Sequence, residues 1–356
     1  MRETKIRILV IRFSSLGDLI LMIPLLRHLR AAFPRGEIDI ATKDKYSGLF
    51  SGYQLVNSIH TLKGGSLSEL LRMKNRLRKR RYNIVIDAHN VIRSNILYWG
   101  IPAEKKAQLK KEQLRKFLLI KFGINLYHEI THQHDRYMKL AWKIGLSKDK
   151  DLPPFQLPAD AELRAGNFIK ELDPEAEITL SVAPGARWDT KRWSEQNYRE
   201  IIKRVSDMGF NTVIVGGREE VELAERISGS TEERLVNTAG KLSILETASI
   251  LGRSDLLLTN DSALLHLSEL VGTPVLALFG PTVREFGFYP RMAKSRVLEI
   301  GAECRPCSRN GARPCRYPEK LCLDSIKPES VLESILSILN LKRNVKRTES
   351  RSSGDI

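Results

Sequence analysis

Two turns of this chain pair strand-like runs with groups that can move a proton or hold an anion. The first is Phe13-Ser14-Ser15-Leu16-Gly17-Asp18, directly after the apolar run Ile6–Arg12. Ser14, Ser15 and Gly17 make a small flexible turn. Asp18 stands at the mouth of the helix that follows, as a helix cap or as a general base taking a proton from a hydroxyl nucleophile. The second is Val182-Ala-Pro-Gly-Ala-Arg-Trp-Asp-Thr-Lys-Arg-Trp193. Arg187, Lys191 and Arg192 put three cations in one loop and Thr190 adds a hydroxyl, which suits phosphate oxygens. Trp188 and Trp193 either anchor that loop or stack on a ring.

The run Asp255–Thr282 carries the fullest pattern: a buried strand, a polar turn, a short helix, a Gly-Thr-Pro break, a second buried strand and a Gly-Pro-Thr turn. Asn260, Asp261 and Ser262 are N-cap residue types. The helix they open presents free backbone N–H groups and a positive dipole end, which favour a phosphate. The expectation is an anionic ligand, a nucleotide diphosphate, although an ordinary capped helix would look the same. Gly216-Gly217 lets a ligand approach the backbone. The acidic residues after it, Glu219, Glu220 and Glu222, either accept hydrogen bonds from ribose hydroxyls or favour a helix start.

All four cysteines cluster as Cys304-x2-Cys307-x7-Cys315-x6-Cys322. In a reducing compartment that clustering suggests a structural zinc more than disulfides, with reduced thiols as the plain alternative. His89, His128, His132 and His134 have no ligand spacing, so no catalytic metal is expected.

The elements that must position these groups alternate along the chain. Strands are expected at Ile6–Arg12, Ile38–Thr42, Val56–Leu62 and Ile84–Ala88. Helices are expected from Asp18 to Ala32 and at Leu67–Arg81, Gln113–Phe122 and His132–Ile144. Three prolines in Asp151–Pro158 break the pattern and mark a linker. Alternation resumes with helices at Ala161–Leu172, Ser194–Met208, Glu219–Ser228, Ser243–Leu251 and Pro328–Leu341, and strands at Ile178–Ala183 and Thr212–Val215. The fold class is α/β: two doubly wound parallel sheets facing across a cleft, one domain over 1–155, a second over 156–341 with a cysteine loop at 301–323, and a disordered tail at 342–356.

The chain of 356 residues has a net charge of +16. Lys74–Arg81 holds six basic residues in eight, and Lys105, Lys106, Lys110, Lys111, Arg115, Lys116 and Lys121 extend the bias. Nucleic acid, anionic lipid headgroups or a phosphorylated substrate would answer such a field. With no nucleic-acid motif the first is disfavoured, and Leu70, Leu71 and Leu77 make Lys74–Arg81 read as the solvated face of an amphipathic helix. No apolar run reaches the ~18 residues of a membrane span, and the N-terminus does not read as a signal peptide; a cytoplasmic location is expected.

Together these segments resemble glycosyltransferase family 9, the lipopolysaccharide heptosyltransferases. Ser14-Ser-Leu-Gly-Asp18 with Pro24 resembles the acceptor-side turn. Pro184-Gly-Ala186 with Thr190-Lys-Arg-Trp193 resembles the central loop. Asn260-Asp-Ser262 with His266, Gly272-Thr-Pro274 and Phe279-Gly-Pro-Thr282 resembles the donor segment, and the Cys304–Pro328 stretch is also similar. Ala263 stands where the family usually has glycine. The resemblance implies a GT-B architecture and an inverting, metal-independent transfer of heptose from ADP-heptose to the lipopolysaccharide inner core. It implies Asp18 as general base, and Lys191 with the Ser262 helix end on the leaving diphosphate, assisted by Thr190. Asp261 and His266 would lie near the donor and a glutamate of 219–222 on its ribose. The acceptor would be a lipid-linked anionic oligosaccharide at the inner membrane surface, reached peripherally, with no nucleic-acid partner. The alternatives are a nucleotide-sugar epimerase on the same fold and a non-catalytic basic nucleic-acid-binding protein.

Overall fold

The structure, a computed structural model, describes residues 5–52, 55–147, 152, 155–229 and 234–341. The expected tail at 342–356 and part of the expected linker (151, 153 and 154) lie outside the described residues.

Five parallel strands form the first sheet: β1 (Arg7–Ile11), β2 (Glu37–Lys43), β3 (Ser58–Leu62), β4 (Ile84–Asp87) and β5 (Lys105–Gln108), in the order β3-β2-β1-β4-β5. Helices α1 (Leu16–Ala32), α2 (Leu67–Arg78), α3 (Ile92–Gly100), α4 (Gln113–Phe122) and α5 (Gln133–Lys143) accompany it. Ile8, Leu9, Val10 and Ile11 are all buried, as a central strand covered on both faces requires. The amphipathic reading of α2 holds with one change: Leu70, Met73 and Leu77 face the core, while Leu71 is exposed. The strip closes on Met73 because residues three and four apart share a helix face.

The second sheet has six parallel strands, β6 (Thr179–Ala183), β7 (Asn211–Ile214), β8 (Leu235–Asn237), β9 (Leu256–Asn260), β10 (Val275–Phe279) and β11 (Arg296–Glu299), in the order β11-β10-β9-β6-β7-β8. Its helices are α6 (Ala159–Ile169), α7 (Glu195–Asp207), α8 (Val221–Ser228), α9 (Ile244–Gly252), α10 (Ala263–Leu270), α11 (Leu321–Asp324) and α12 (Pro328–Ile338). In both sheets the strand order reverses beside the first strand, between β1 and β4 and between β6 and β9. Ligands in open α/β sheets bind outside the carboxyl ends of the strands at such reversals. Helices α1 and α10 pack against each other, so the two reversal points face one another. Gly17 makes the approach close: a Cβ there would lie 3.2 Å from His266 Cδ2 and 3.5 Å from Ala263 Cα.

Candidate active site

A cavity of about 1060 Å³ lies between the sheets, lined from the first by Ser14, Ser15, Gly17 and Asp18 and from the second by Lys191, Asp261, Ser262 and His266. On the first side, Asp18 Oδ2 accepts from Ser15 Oγ at 2.7 Å and from Ser15 N at 3.2 Å, and pairs with Arg12 Nη2 at 2.8 Å. Its Oδ1 accepts from the Tyr137 hydroxyl at 2.8 Å. Burial alone would raise the Asp18 carboxyl, but the Arg12 guanidinium and the hydrogen bonds of Ser15 and Tyr137 hold it at about 2. Asp18 is therefore a fixed anion at neutral pH. Arg12 is itself buried, donates to the Ala88 carbonyl and lies over the Tyr137 ring.

On the second side, Lys191 Nζ donates to Asp261 Oδ2, which also accepts from the Thr282 hydroxyl at 2.6 Å. Burial opposes charge on Asp261, and Lys191 and Thr282 overcome it, leaving the carboxyl lowered. Asn260 sits at the buried end of β9 and ties the central loop down: its Nδ2 donates to the Pro184 carbonyl at 2.7 Å and its Oδ1 accepts from Trp193 N at 3.0 Å. Ser262 occupies the N-cap position of α10, but its side chain makes no cap hydrogen bond to that helix. The first-turn N–H groups of α10 are thus left to a ligand. His266 lies between the two anions. Burial lowers it to about 4, against the opposing pull of Asp261 and Asp18, so the ring is neutral, and its Nδ1 has no partner among the described residues.

The Pro184-Gly185 and Gly216-Gly217 turns meet at Glu220. Its carboxylate accepts from Gly217 N and lies where a Cβ on Gly185 would collide with it. Trp188 and Arg187 line the cavity, the guanidinium 5.1 Å from the ring centre, while Trp193 is buried with Nε1 bonded to the Ile326 carbonyl at 3.0 Å. Of the two tryptophans, one anchors and one faces the cleft.

Residues 70–318 match the model of a family described as glycosyltransferase family 9 (heptosyltransferase). The chain belongs to that family. It is similar to lipopolysaccharide heptosyltransferase 1 of Pseudomonas aeruginosa, 26% identical, with 94% of this chain and 98% of that protein covered. It is equally similar to lipopolysaccharide heptosyltransferase 2 of Escherichia coli K12, at 26% identity and the same coverage, 94% and 98%. Among solved structures, the Escherichia coli ADP-heptose lps heptosyltransferase II superposes with a TM-score of 0.73 at 22% identity, covering 94% of this chain and 99% of that one. As a family 9 heptosyltransferase the chain is a glycosyltransferase, and the epimerase and nucleic-acid-binding alternatives are set aside.

Two of the expected donor-side residues stand away from the cavity of this heptosyltransferase, and the expected zinc has no site among the described residues. Glu222 does not line the cavity: the tight turn at Arg218–Glu220 passes into α8, which carries Glu222 outward to solvent and toward Arg226, leaving Glu219 and Glu220 at the cleft. Thr190 does not line it either, because its hydroxyl is turned to the Gly311 carbonyl of the cysteine loop. The zinc expectation finds no support: among the described residues no group of three or more His, Cys, Asp or Glu is placed to hold a metal. Cys307 donates to the Cys304 carbonyl at 3.1 Å and Cys315 to the Glu319 carbonyl at 3.8 Å, while Cys322 is buried beside Gly280. Burial and the neighbouring Cys304 push the Cys307 thiol up to about 11, so it stays protonated.

Arg12 and Tyr137, which grip Asp18, are not legible as site residues, whereas Thr282, which grips Asp261, ends the donor segment of the resemblance. Arg12 reads as a strand flank, and Tyr137 lies 119 residues from Asp18. The one available signal was Arg12 itself, a cation directly after a buried strand.

Proposed function

We propose that this enzyme transfers heptose from ADP-heptose to a hydroxyl of the lipopolysaccharide inner core, with inversion and without a catalytic metal. The acceptor oxygen attacks the anomeric carbon, and the bond from that carbon to the diphosphate oxygen breaks. The electron pair leaves with ADP, and the acceptor proton passes to Asp18. Because Asp18 is held so acidic, it takes that proton only as the attacking oxygen gains positive charge in the transition state. Lys191 and the open first turn of α10 meet the charge growing on the diphosphate. Glu220, at the cleft, accepts from the ribose hydroxyls. Asp261 orients Lys191, and His266, neutral and without a partner at Nδ1, is assigned to the donor beside them.

The observation that carries this reading is that one cavity receives a fixed anion from the first reversal point and a lysine with an uncapped helix from the second. The reading also takes the boundary between acceptor-side and donor-side domains near residue 155. It sets the enzyme at the cytoplasmic face of the inner membrane, with a lipid-linked anionic acceptor. No helix among the described residues is long and apolar enough to cross a membrane, so contact there would be peripheral.

The test is product analysis with ADP-heptose, with and without inner-core acceptor, in the presence of a chelator. Acceptor-dependent release of ADP with a new inverted heptosyl linkage, undiminished by chelation, is expected. Turnover of ADP-heptose that ignores the acceptor, or that stops on chelation, would contradict the proposal.

A further inference from the structure

We infer that α4 and the turn after it form the surface on which this enzyme rests against an anionic lipid bilayer; the inference rests on the lipid-linked acceptor of the reading above. Helix α4, Gln-Leu-Arg-Lys-Phe-Leu-Leu-Ile-Lys-Phe, is rich in large apolar residues, yet Leu119 is its one buried residue. Leu114 is 68% exposed and Phe122 59%. Phe117 and Phe122 meet edge to face with ring centres 5.9 Å apart, so they form one ridge rather than two isolated rings. Gly123 ends the helix at φ 70, and the chain continues with Ile124, Leu126 and Ile130, all exposed. Six of the sixteen exposed large apolar side chains among the described residues thus fall within 114–130. Soluble surfaces rarely gather such residues so closely without covering them.

The charges around the ridge choose the occupant. Residues 110–130 carry five lysines and arginines against two glutamates, and one of those, Glu112, is taken up by Arg115 and Arg136. Arg115 and Lys121 are exposed on the same helix as the apolar side chains. An apolar ridge flanked by cations fits acyl chains under anionic headgroups. A second copy of this chain would set like charge against like charge. The position fits as well: Lys110, Lys111 and Lys116 line the cleft, so the ridge lies at the rim of the first sheet's side of the cavity. A lipid-anchored sugar could then enter the cleft while its anchor stays in the bilayer.

The experiment is co-sedimentation of the full-length protein with vesicles of phosphatidylglycerol mixed with phosphatidylcholine, and with phosphatidylcholine alone, none containing acceptor. Wild type is expected to bind the anionic vesicles and to lose them as salt is added. The variant Leu114→Ser/Phe117→Ser/Phe122→Ser is expected to bind them at least about tenfold more weakly, with unchanged ADP affinity and unchanged transfer to a delipidated acceptor. Equal vesicle binding by variant and wild type, or no preference for the anionic vesicles, would overturn the surface. So would a change from dimer to monomer in the variant without vesicles, which would make the ridge a self-interface. Vesicle binding as expected in a protein that releases no ADP would overturn the catalytic reading and leave the surface standing.

Discussion

Helices α1 and α10 open at equivalent places in their sheets, yet they end up as chemical opposites. At α1 the N-cap serine makes no cap bond of its own, but the first turn carries a carboxylate: Asp18 reaches back to the Ser15 N–H, and Arg12 and Tyr137 close around it. At α10 the N-cap serine makes no cap bond either, but the first turn holds no acidic residue, and a lysine lines the cleft beside it. The same strand-turn-helix unit therefore yields a held anion on one side of the cleft and an anion-binding end on the other. A helix start keeps its positive end for a ligand where its first turn brings no carboxylate of its own.

Replacing each side's key group should break this contrast most sharply. Asp18→Asn is expected to lower transfer by about 10²- to 10⁴-fold, the usual contribution of a general base, measured as ADP release with saturating acceptor. Lys191→Ala is expected to weaken ADP by about 10- to 100-fold through loss of a charge-assisted hydrogen bond, measured by calorimetric titration, and to slow turnover with it.

A smaller effect sharpens the anionic side. Tyr137→Phe removes one donor to Asp18, so the carboxyl rises from its wild-type position. Wild-type kcat/KM should show no limb from Asp18 down to about pH 4, and the variant should bring that acid limb upward. Stability follows the same sign. Asp18 titrates lower folded than unfolded, so its contribution is complete above the ordinary carboxylate range and is lost as pH falls toward about 2. The variant should be less stable by about 1 kcal/mol at neutral pH, with the gap to wild type closing in acid, read by denaturant titration across pH.

The smallest effect tests the open end. Ser262→Ala should change stability by less than about 0.5 kcal/mol, because its side chain caps nothing. Ser243→Ala, at a serine that accepts from Glu246 N at 3.3 Å, should cost about 1 kcal/mol. Thermal unfolding of both variants decides it.

The fold was readable wherever burial imposed a pattern. The central strands are continuous apolar runs, and their helices carry caps and stripes. The elements not anticipated are those without that pattern: β5, Lys-Lys-Ala-Gln, and β11, Arg-Val-Leu-Glu, are polar edge strands, and β8 has three residues. Helix α3 was missed because Ile92 and Trp99 face solvent, which blurs its stripe. In the site, the sequence order of turn and helix pointed to Asp18, Lys191, Asp261 and Ser262. It could not yield Tyr137, whose contact with Asp18 exists only after distant segments pack. Nor could it choose among the glutamates of 219–222, because the choice depends on where a short tight turn becomes α8.

The division of labour across the cleft is tested most directly by titrating ADP into wild type, Asp18→Asn and Lys191→Ala under one condition. Near wild-type affinity in Asp18→Asn, with marked loss in Lys191→Ala, is the predicted result. Loss of ADP binding in Asp18→Asn, with Lys191→Ala unaffected, would contradict it.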